Sequence, residues 1–148
     1  MFAWLQRVCG GGRKPATPAA RRGAEGERLA ADFLRRRLGY EIVAANWRNP
    51  RNRREEIDLV CRDGEALVFV EVKTRSVHAL VSGFQAVDRR KLRVLRRAVR
   101  AYLSRLRRRP DTYRLDVADV AVAGDGTPPE VRHYRNVRLF PRNRHGMW

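Results

Sequence analysis

The sequence predicts a single α/β domain in which helices pack on a β-sheet. The chain has 148 residues, which suffices for one compact domain with its own hydrophobic core. Apolar residues recur at helical spacing in two segments and alternate along several others. These segments follow one another as helix, three strands, helix and further strands, an order typical of a sheet covered by helices.

The first half of the chain carries one helix and three strands. An apolar stripe followed by Gly39 predicts a helix over residues 24–38, because glycine commonly ends helices. A polar, arginine-rich loop is expected over residues 46–54. The Asp63-Gly64 step between two apolar runs is a strong hairpin signal. The strands of this half are predicted over residues 40–45, 56–61 and 66–73.

The second half begins with a predicted loop over residues 74–84. A long amphipathic helix is predicted over residues 88–108, and Pro110 ends it. Its apolar positions are Leu92, Leu95, Val99, Tyr102, Leu103 and Leu106. Alternating residues then predict two further strands, over residues 113–122 and 131–140.

The two ends of the chain differ in composition from its middle. Residues 10–22 are rich in glycine, proline and alanine and carry only positive charge, so we expect a flexible basic arm over residues 1–22. The domain is expected over residues 23–140, with a tail over residues 141–148. Two distant cysteines, Cys9 and Cys61, have no metal or redox spacing, which indicates a reducing compartment. The apolar start is too short for a signal peptide, so we expect a cytoplasmic protein.

The charge of the chain points to a polyanionic partner. Lysine and arginine total 33 against 16 acidic residues, a formal net charge of +17. Such an excess is typical of proteins that bind nucleic acid, because each phosphate contact releases condensed counterions. Attachment to anionic lipid is a weaker alternative, supported only by the basic arm and the apolar start. Motifs for Ser or Cys nucleophiles, phosphate-cradling glycine loops and zinc sites are absent from the sequence.

Lysine is rare in this arginine-rich chain. The only lysines are Lys14, Lys73 and Lys91. A lysine retained in such a background suggests a position where arginine does not serve, since lysine shifts its pKa readily and arginine keeps its proton. Lys73 lies beside an acid in Glu71-x-Lys73, at the end of a predicted strand.

The predicted hairpin brings this pair near another acid. A two-residue Asp63-Gly64 turn places Arg62 opposite Glu65 and Asp58 opposite Phe69. Asp58, Glu71 and Lys73 then share one face of the sheet, and the two acids are diagonal neighbours roughly 7–8 Å apart. A loop longer by one residue would separate them. The interpretation therefore depends on the turn.

Two explanations account for these charges among apolar strands. Buried charges are costly unless they are paired or bound to metal, so an ion pair of Lys73 with one of the acids is the structural alternative. The functional hypothesis is a site for Mg²⁺ or Mn²⁺, since hard cations favour carboxylate ligands, water and substrate phosphate. Glu27, on the apolar side of the first helix, is a further candidate acid. An acid in a first helical turn also suits the helix dipole, so both interpretations of Glu27 stay open.

Several motifs in one order resemble the YraN family. They are Gly23-Ala-Glu-Gly-Glu27-Arg-Leu-Ala, Gly39-Tyr40, Ala45-Asn46-Trp47-Arg48, Glu56-Ile57-Asp58-Leu59-Val60, Val68-Phe69-Val70-Glu71-Val72-Lys73-Thr74-Arg75 and a later Lys91. That bacterial family of predicted endonucleases is similar to archaeal Holliday-junction resolvases. It belongs with the restriction-endonuclease-like PD-(D/E)XK superfamily, so the resemblance implies a mixed sheet flanked by helices.

The resemblance also implies roles for particular residues. Asp58 and Glu71 would bind the metal, Lys73 would be catalytic, and Glu27 would complete the site. Lys91 would approach phosphate. The stretch Arg114-Leu115-Asp116 resembles a structural element of the family. At Glu55 the family usually has glycine, so this side chain could crowd the site or add an acid to it.

Further arginines are candidates for nucleic-acid contact. They are Arg48 and Arg75 in the resembling motifs, and Arg93, Arg97 and Arg100 on the second helix. That helix has no acids on its arginine-rich face, which suits a phosphate track, although such faces are commonly only solvated. Trp47 lies among arginines and is expected to pack against the domain, with stacking on an unpaired base as the alternative.

The sequence therefore predicts a Mg²⁺- or Mn²⁺-dependent endonuclease that cleaves DNA, with branched or junction DNA as a candidate substrate. The alternative is a non-catalytic nucleic-acid-binding module of the same fold. A homodimer is expected only by analogy, because cutting a junction symmetrically needs two active sites.

Overall fold

Five strands and two helices form the computed structural model of the protein, which describes residues 17–77 and 89–139. The helices are α1 (Pro18–Leu38) and α2 (Arg89–Leu103). The strands are β1 (Glu41–Asn49), β2 (Asn52–Asp63), β3 (Ala66–Ser76), β4 (Thr112–Val122) and β5 (Glu130–Val137). No helix in these two ranges is long and apolar enough to cross a membrane.

The five strands form one mixed sheet in the order β1-β2-β3-β4-β5. The β3–β4 pair is parallel and the other three pairs are antiparallel. The parallel pair requires a crossover, which α2 supplies on one face of the sheet, while α1 covers the other face. The predicted single α/β domain, a mixed sheet flanked by helices, is thus confirmed, and it agrees with a restriction-endonuclease-like fold.

Helix α1 is longer than the sequence predicts. It begins at Pro18, and the Oγ1 atom of Thr17 accepts a hydrogen bond from the Ala20 N–H at 3.2 Å. A threonine cap followed by proline is a favoured helix start. Residues 18–22 therefore belong to the helix and not to a flexible arm, whereas residues 1–16 lie outside the described ranges. The predicted end is confirmed, since Gly39 has a φ of 72° and its N–H donates to Arg35 O.

The predicted polar loop over residues 46–54 is wrong. Strand β1 continues to Asn49, β2 starts at Asn52, and only a tight turn at Pro50-Arg51 joins them. Together the two strands form a ribbon, which we call the β1–β2 ribbon. Its polar composition conceals it from hydrophobic patterning, because the tip of the ribbon has no apolar layer to cover.

Helix α2 is shorter than predicted, since it ends at Leu103 and the prediction extended it to residue 108. Ser104 Oγ donates to Ala101 O at 2.8 Å, and the Arg105 and Leu106 N–H groups bond to carbonyls three residues back. Such side-chain bonding and tightened turns are common where helices end. The predicted loop over residues 74–84 is wrong for residues 74–76, which belong to β3 because they stay paired with β4. Residues 78–84 of that loop, residue 88 and Phe140 fall outside the described ranges.

The β2–β3 hairpin differs from its predicted register by two residues. Asp63 pairs with Ala66, so Gly64-Glu65 forms the turn, and Gly64 has a φ of 57°. The prediction instead paired Arg62 with Glu65. Because alternate residues share a face, a shift of two keeps the paired residues, from Leu59 with Val70 to Asp63 with Ala66, on their predicted faces. Asp58 and Glu71 directly follow the last pair, Leu59 with Val70, where the prediction made them diagonal neighbours within a paired hairpin.

The sheet forks at this point. Pairing between β2 and β3 ends at Leu59 and Val70, whereas β3 stays paired with β4 to Ser76. The alternation of β2 also breaks, because Leu59 packs on the α1 face and Ile57 packs on the α2 face. The β1–β2 ribbon and the β3–β4 pair therefore form the two arms of a fork. Asp58 lies at its base.

A buried network holds the opposite end of the sheet. The Arg114 side chain donates from Nε to Asp116 Oδ1 at 2.9 Å and from Nη2 to Asp63 Oδ2 at 2.8 Å. Asp116 also lies 2.8 Å from His133 Nε2 and accepts the Asn136 N–H. Burial alone would raise the pKa of Asp116, but these bonds outweigh it and hold the pKa below its ordinary 3.8. The structural role implied for Arg114 and Asp116 is supported by these contacts.

We expect Asp116→Ala to lower the free energy of unfolding by about 3–5 kcal/mol, because it removes the buried acid that pairs with Arg114 and leaves Asp63 as the remaining acidic partner of that guanidinium. Urea denaturation measures this loss, and Asp111→Ala, at an exposed aspartate, is the matched control. Because the folded pKa of Asp116 is lowered, its contribution is present above pH 3.8 and disappears as the pH falls further. Equal stability of both variants at pH 7 would contradict the assignment.

Candidate active site

A cleft of about 960 Å³ opens between the arms of the fork and the start of α1. Its acidic lining comes from α1 and from strands β2 and β3. The acids are Glu25, Glu27, Glu56, Asp58 and Glu71. Lys73 from β3 and Lys91 from the first turn of α2 also line it. The structure therefore brings together the predicted residues Glu27, Asp58, Glu71, Lys73 and Lys91 around one cleft.

Asp58 lies where β2 leaves β3, and its carboxylate continues the connection between them. The Val72 N–H donates to Asp58 Oδ2 at 2.7 Å, beyond the last backbone pair of the two strands. Burial, together with the charge of Glu71, raises the pKa of Asp58 to about 7. The Val72 bond and the Lys91 charge favour the ionised form but are the weaker influences. Asp58 is thus an acid held at a costly position.

Glu71 is the most deeply buried acid of the cleft, with its side chain 2% exposed. Its Oε1 atom lies 2.9 Å from Lys73 Nζ and 3.3 Å from Lys91 Nζ. Its Oε2 atom is buried and accepts no hydrogen bond from any described residue. A carboxylate oxygen buried without a donor is costly, so this atom is suited to a cation that the protein does not itself supply.

The two lysines differ in origin but meet on one oxygen. Burial would lower the pKa of Lys91, but the charges of Glu71 and Asp58 outweigh it and raise the pKa. Lys91 therefore stays protonated and balances the acid pair from α2. Lys73 contacts Glu71 from β3. The ion pair considered as the structural alternative is thus present, and it satisfies only one of the two Glu71 oxygens.

Glu27 lines the cleft from α1, which packs on the face of the sheet opposite to α2. Burial raises its pKa, the charges of Glu56 and Glu71 add to that, and a hydrogen bond with the Asn46 side chain opposes it. Asn46 lies between the pairs Ala45–Leu59 and Trp47–Ile57, hence opposite Asp58, with a φ of 52°. Among residues 17–77 and 89–139, no three His, Cys, Asp or Glu side chains are close enough together to hold one metal ion.

The arginines predicted to bind nucleic acid occupy three environments. Arg48 is half exposed and pairs with Glu56 at 3.2 Å beside the cleft. Arg75 lines the cleft but is mostly buried and pairs with the fully buried Asp119 at 3.0 Å. The three arginines of α2 that were predicted to bind nucleic acid are exposed and do not line the cleft; they are Arg93, Arg97 and Arg100.

Trp47 and Glu55 both make structural contacts within the protein. Trp47 packs edge-on against Tyr102 of α2 with ring centroids 5.2 Å apart, which supports the packing interpretation. Glu55 does not line the cleft. Its carboxylate accepts hydrogen bonds from Asn49 Nδ2 at 2.7 Å and Asn52 Nδ2 at 3.1 Å. Glu55 therefore neither crowds the cleft nor adds an acid to its lining.

Sequence reasoning missed three residues of the site. Glu56 lines the cleft, Asn46 contacts Glu27, and Gly26 lets α1 approach β3. All three lie inside the quoted motifs. Glu56 directly precedes a hydrophobic run that already contained Asp58, and it received no separate role. The positive φ of Asn46 has no reliable sequence signal beyond asparagine itself.

Gly26 sets the distance between α1 and the site. A Cβ atom at this position would lie 1.8 Å from Thr74 Oγ1 and 2.9 Å from Thr74 Cβ. Glu27 follows Gly26 on α1 and Lys73 precedes Thr74 on β3. The close approach of the helix to the strand therefore positions both side chains. A larger residue at position 26 must displace the helix or the strand.

We expect Gly26→Ala to lower the free energy of unfolding by about 1–3 kcal/mol, the usual cost of overpacking. Gly23→Ala is the matched control in the same helix, since its added Cβ meets open space. It should raise stability by about 0.5–1 kcal/mol through helix propensity. Thr74→Ala should rescue part of the Gly26→Ala loss in urea denaturation. Equal stability of Gly26→Ala and Gly23→Ala would show that the close contact is not a constraint.

The pKa of Asp58 predicts a pH dependence in metal-free buffer with EDTA. Because its folded pKa of about 7 exceeds the ordinary 3.8, the stabilising effect of its proton is complete below pH 3.8 and lost above pH 7. Asp58→Asn should therefore raise the free energy of unfolding at pH 8 by about 1–4 kcal/mol relative to wild type. The difference should vanish towards pH 4. Asp111→Asn serves as control, and a gain independent of pH would contradict the assignment.

Comparison with known proteins places the chain in a family. The model described as "Uncharacterised protein family UPF0102" matches residues 26–120. A UPF0102 protein of Beutenbergia cavernae is 44% identical over 115 residues, which cover 78% of this chain and 93% of that relative. A UPF0102 protein of Symbiobacterium thermophilum is 45% identical over 104 residues, covering 70% and 85%. The chain therefore belongs to the UPF0102 family, the YraN family that its motifs resemble.

Proposed function

We propose that the protein is a metal-dependent endonuclease that hydrolyses phosphodiester bonds in DNA, with branched or junction DNA as a candidate substrate. The observation that carries this proposal is the buried Glu71 carboxylate, whose Oε2 atom has no donor among the described residues, next to the buried Asp58. Two adjacent acids held at a cost to stability are typical of functional sites. The net charge of +17 supports a polyanionic substrate.

The donor set fits Mg²⁺ or Mn²⁺. These cations use one or two carboxylates, with water and substrate phosphate completing their coordination. Asp58 and Glu71 would hold the ion, and Glu27 faces them as the third candidate. When bound, the cation supplies stabilisation of negative charge on phosphate and makes a water molecule easier to deprotonate.

The protein's own groups have distinct tasks in this proposal. Lys73, held 2.9 Å from Glu71 and partly exposed to the cleft, orients the attacking water and neutralises charge that develops on the phosphate. Lys91 keeps its proton and balances the acids, so that the cleft admits an anionic substrate. The Val72 N–H fixes the orientation of Asp58. We place this activity in the cytoplasm, and a homodimer would supply the second active site needed to cut a junction.

Cleavage of a panel of duplex, flap and four-way-junction DNA with Mg²⁺ or Mn²⁺ tests the proposal. Asp58→Ala and Lys73→Ala should each lower the cleavage rate by about 100-fold or more while the protein stays folded, because each removes charge stabilisation. Glu65→Gln, an exposed acid in the distant β2–β3 turn, is the matched control and should cleave normally. A wild-type protein that binds DNA tightly yet cleaves no substrate with either metal would refute the proposal.

The alternative is a non-catalytic nucleic-acid-binding module of the same fold. It is favoured by the absence, within the described residues, of three acidic, histidine or cysteine side chains close enough for one metal ion. Titration calorimetry with Mn²⁺ separates the two functions. An enzyme should bind the ion, and Asp58→Ala should abolish binding. A module should release no heat that depends on Asp58.

A further inference from the structure

The tip of the β1–β2 ribbon is a concentrated basic surface that lies a few residues along β2 from Glu56, which lines the cleft. Residues 48–54 are exposed except for Asn49. Arg51, Arg53 and Arg54 form no ion pair with any described residue, whereas Arg48 is paired with Glu56. Three unpaired cations therefore lie within four consecutive positions, a density that a single phosphate backbone would match.

The tip is held by a frame of side-chain hydrogen bonds. The Glu55 carboxylate accepts from the side-chain amides of Asn49 and Asn52. In turn, Asn49 Oδ1 accepts the Arg51 N–H at 3.1 Å, and Asn52 Oδ1 accepts the Arg54 N–H at 3.3 Å. These bonds order the backbone of the arginines before any ligand arrives. Such preorganisation lowers the entropic cost of binding.

The base of the ribbon is anchored to the core. Trp47 packs on Tyr102, and its partner Ile57 is fully buried against α2. From Ile57 to Asn52 the ribbon extends five residues, roughly 16–17 Å at the rise of a strand. Across the cleft, β3 extends beyond its last pair with β2 by a similar length, from Glu71 to Ser76. The ribbon is thus anchored at its base and extends along one side of the candidate active site.

We propose that the β1–β2 ribbon is a clamp for the DNA backbone next to the cleaved bond, with Arg51, Arg53 and Arg54 each contacting a phosphate. This inference rests on the proposed function for its choice of ligand. Glu55 is a positioning residue in it, since it holds the two asparagines that order the arginines. Charge complementarity favours DNA as the occupant, because the acids of the tip are buried or paired and only cations remain available.

The test measures binding of a 30-base-pair DNA duplex in EDTA, where no metal-dependent cleavage occurs, at several salt concentrations. The ribbon variant is Arg51→Gln/Arg53→Gln/Arg54→Gln. Loss of three phosphate contacts should flatten the slope of log K against log salt by about 2 to 3. Affinity at 0.15 M salt should fall about tenfold or more.

Two further variants control for charge and for folding. Arg36→Gln/Arg37→Gln/Arg138→Gln removes the same charge from exposed positions at the far end of the sheet, and should leave the slope nearly unchanged. Arg51→Lys/Arg53→Lys/Arg54→Lys keeps the charge of the tip and should keep the slope. A ribbon variant that matches the far-end variant overturns the clamp, even if the protein cleaves DNA. Failure of wild type to cleave with Mg²⁺ or Mn²⁺ refutes the nuclease proposal and leaves the slope measurement valid.

Discussion

The hydrogen bond from the Val72 N–H to the Asp58 carboxylate is the interaction on which the arrangement of the site depends. It lies just past the last backbone pair, Leu59 with Val70, where two neighbouring strands would otherwise continue side by side. Here the Asp58 carboxylate accepts the hydrogen bond of a β3 N–H in place of a backbone carbonyl of β2, and the two strands separate. The cleft, the ribbon and the position of the buried Glu71 at the wall of the cleft all depend on this separation.

The charges around the fork oppose the stability of the fold. Asp58 and Glu71 are buried beside each other, and burial together with this proximity raises the pKa of Asp58 to about 7. Lys73 and Lys91 offset the cost only in part, because both reach the same Glu71 oxygen. The stabilising contacts lie elsewhere, in the two apolar layers that cover the sheet and in the network around Asp116 at its other end. This separation of stabilising and destabilising regions is typical of proteins with a functional site.

Three sets of contacts define the geometry of the residues around the fork. Gly26 brings α1 against Thr74 and so sets the reach of Glu27. Glu55 binds the asparagines of the ribbon tip, which gives a polar hairpin an ordered shape without an apolar core. Lys91, at the start of α2, joins the crossover helix to the acids. The contacts of Gly26 and Lys91 join segments distant in the chain, and the contacts of Glu55 are between polar side chains, so none of the three is visible as a hydrophobic pattern.

The sequence by itself determined the element order, the end of α1 at Gly39 and the grouping of Asp58, Glu71 and Lys73, because periodicity and turn chemistry are local properties. Its hairpin register was wrong by two residues, and only the even parity of that error preserved the shared face. Tertiary structure alone decided that residues 46–54 form a ribbon, that β2 leaves β3 at Asp58, and that Glu55 points away from the cleft. These features arise from pairing, burial and side-chain contacts between separate elements, which compete with local propensity and commonly override it.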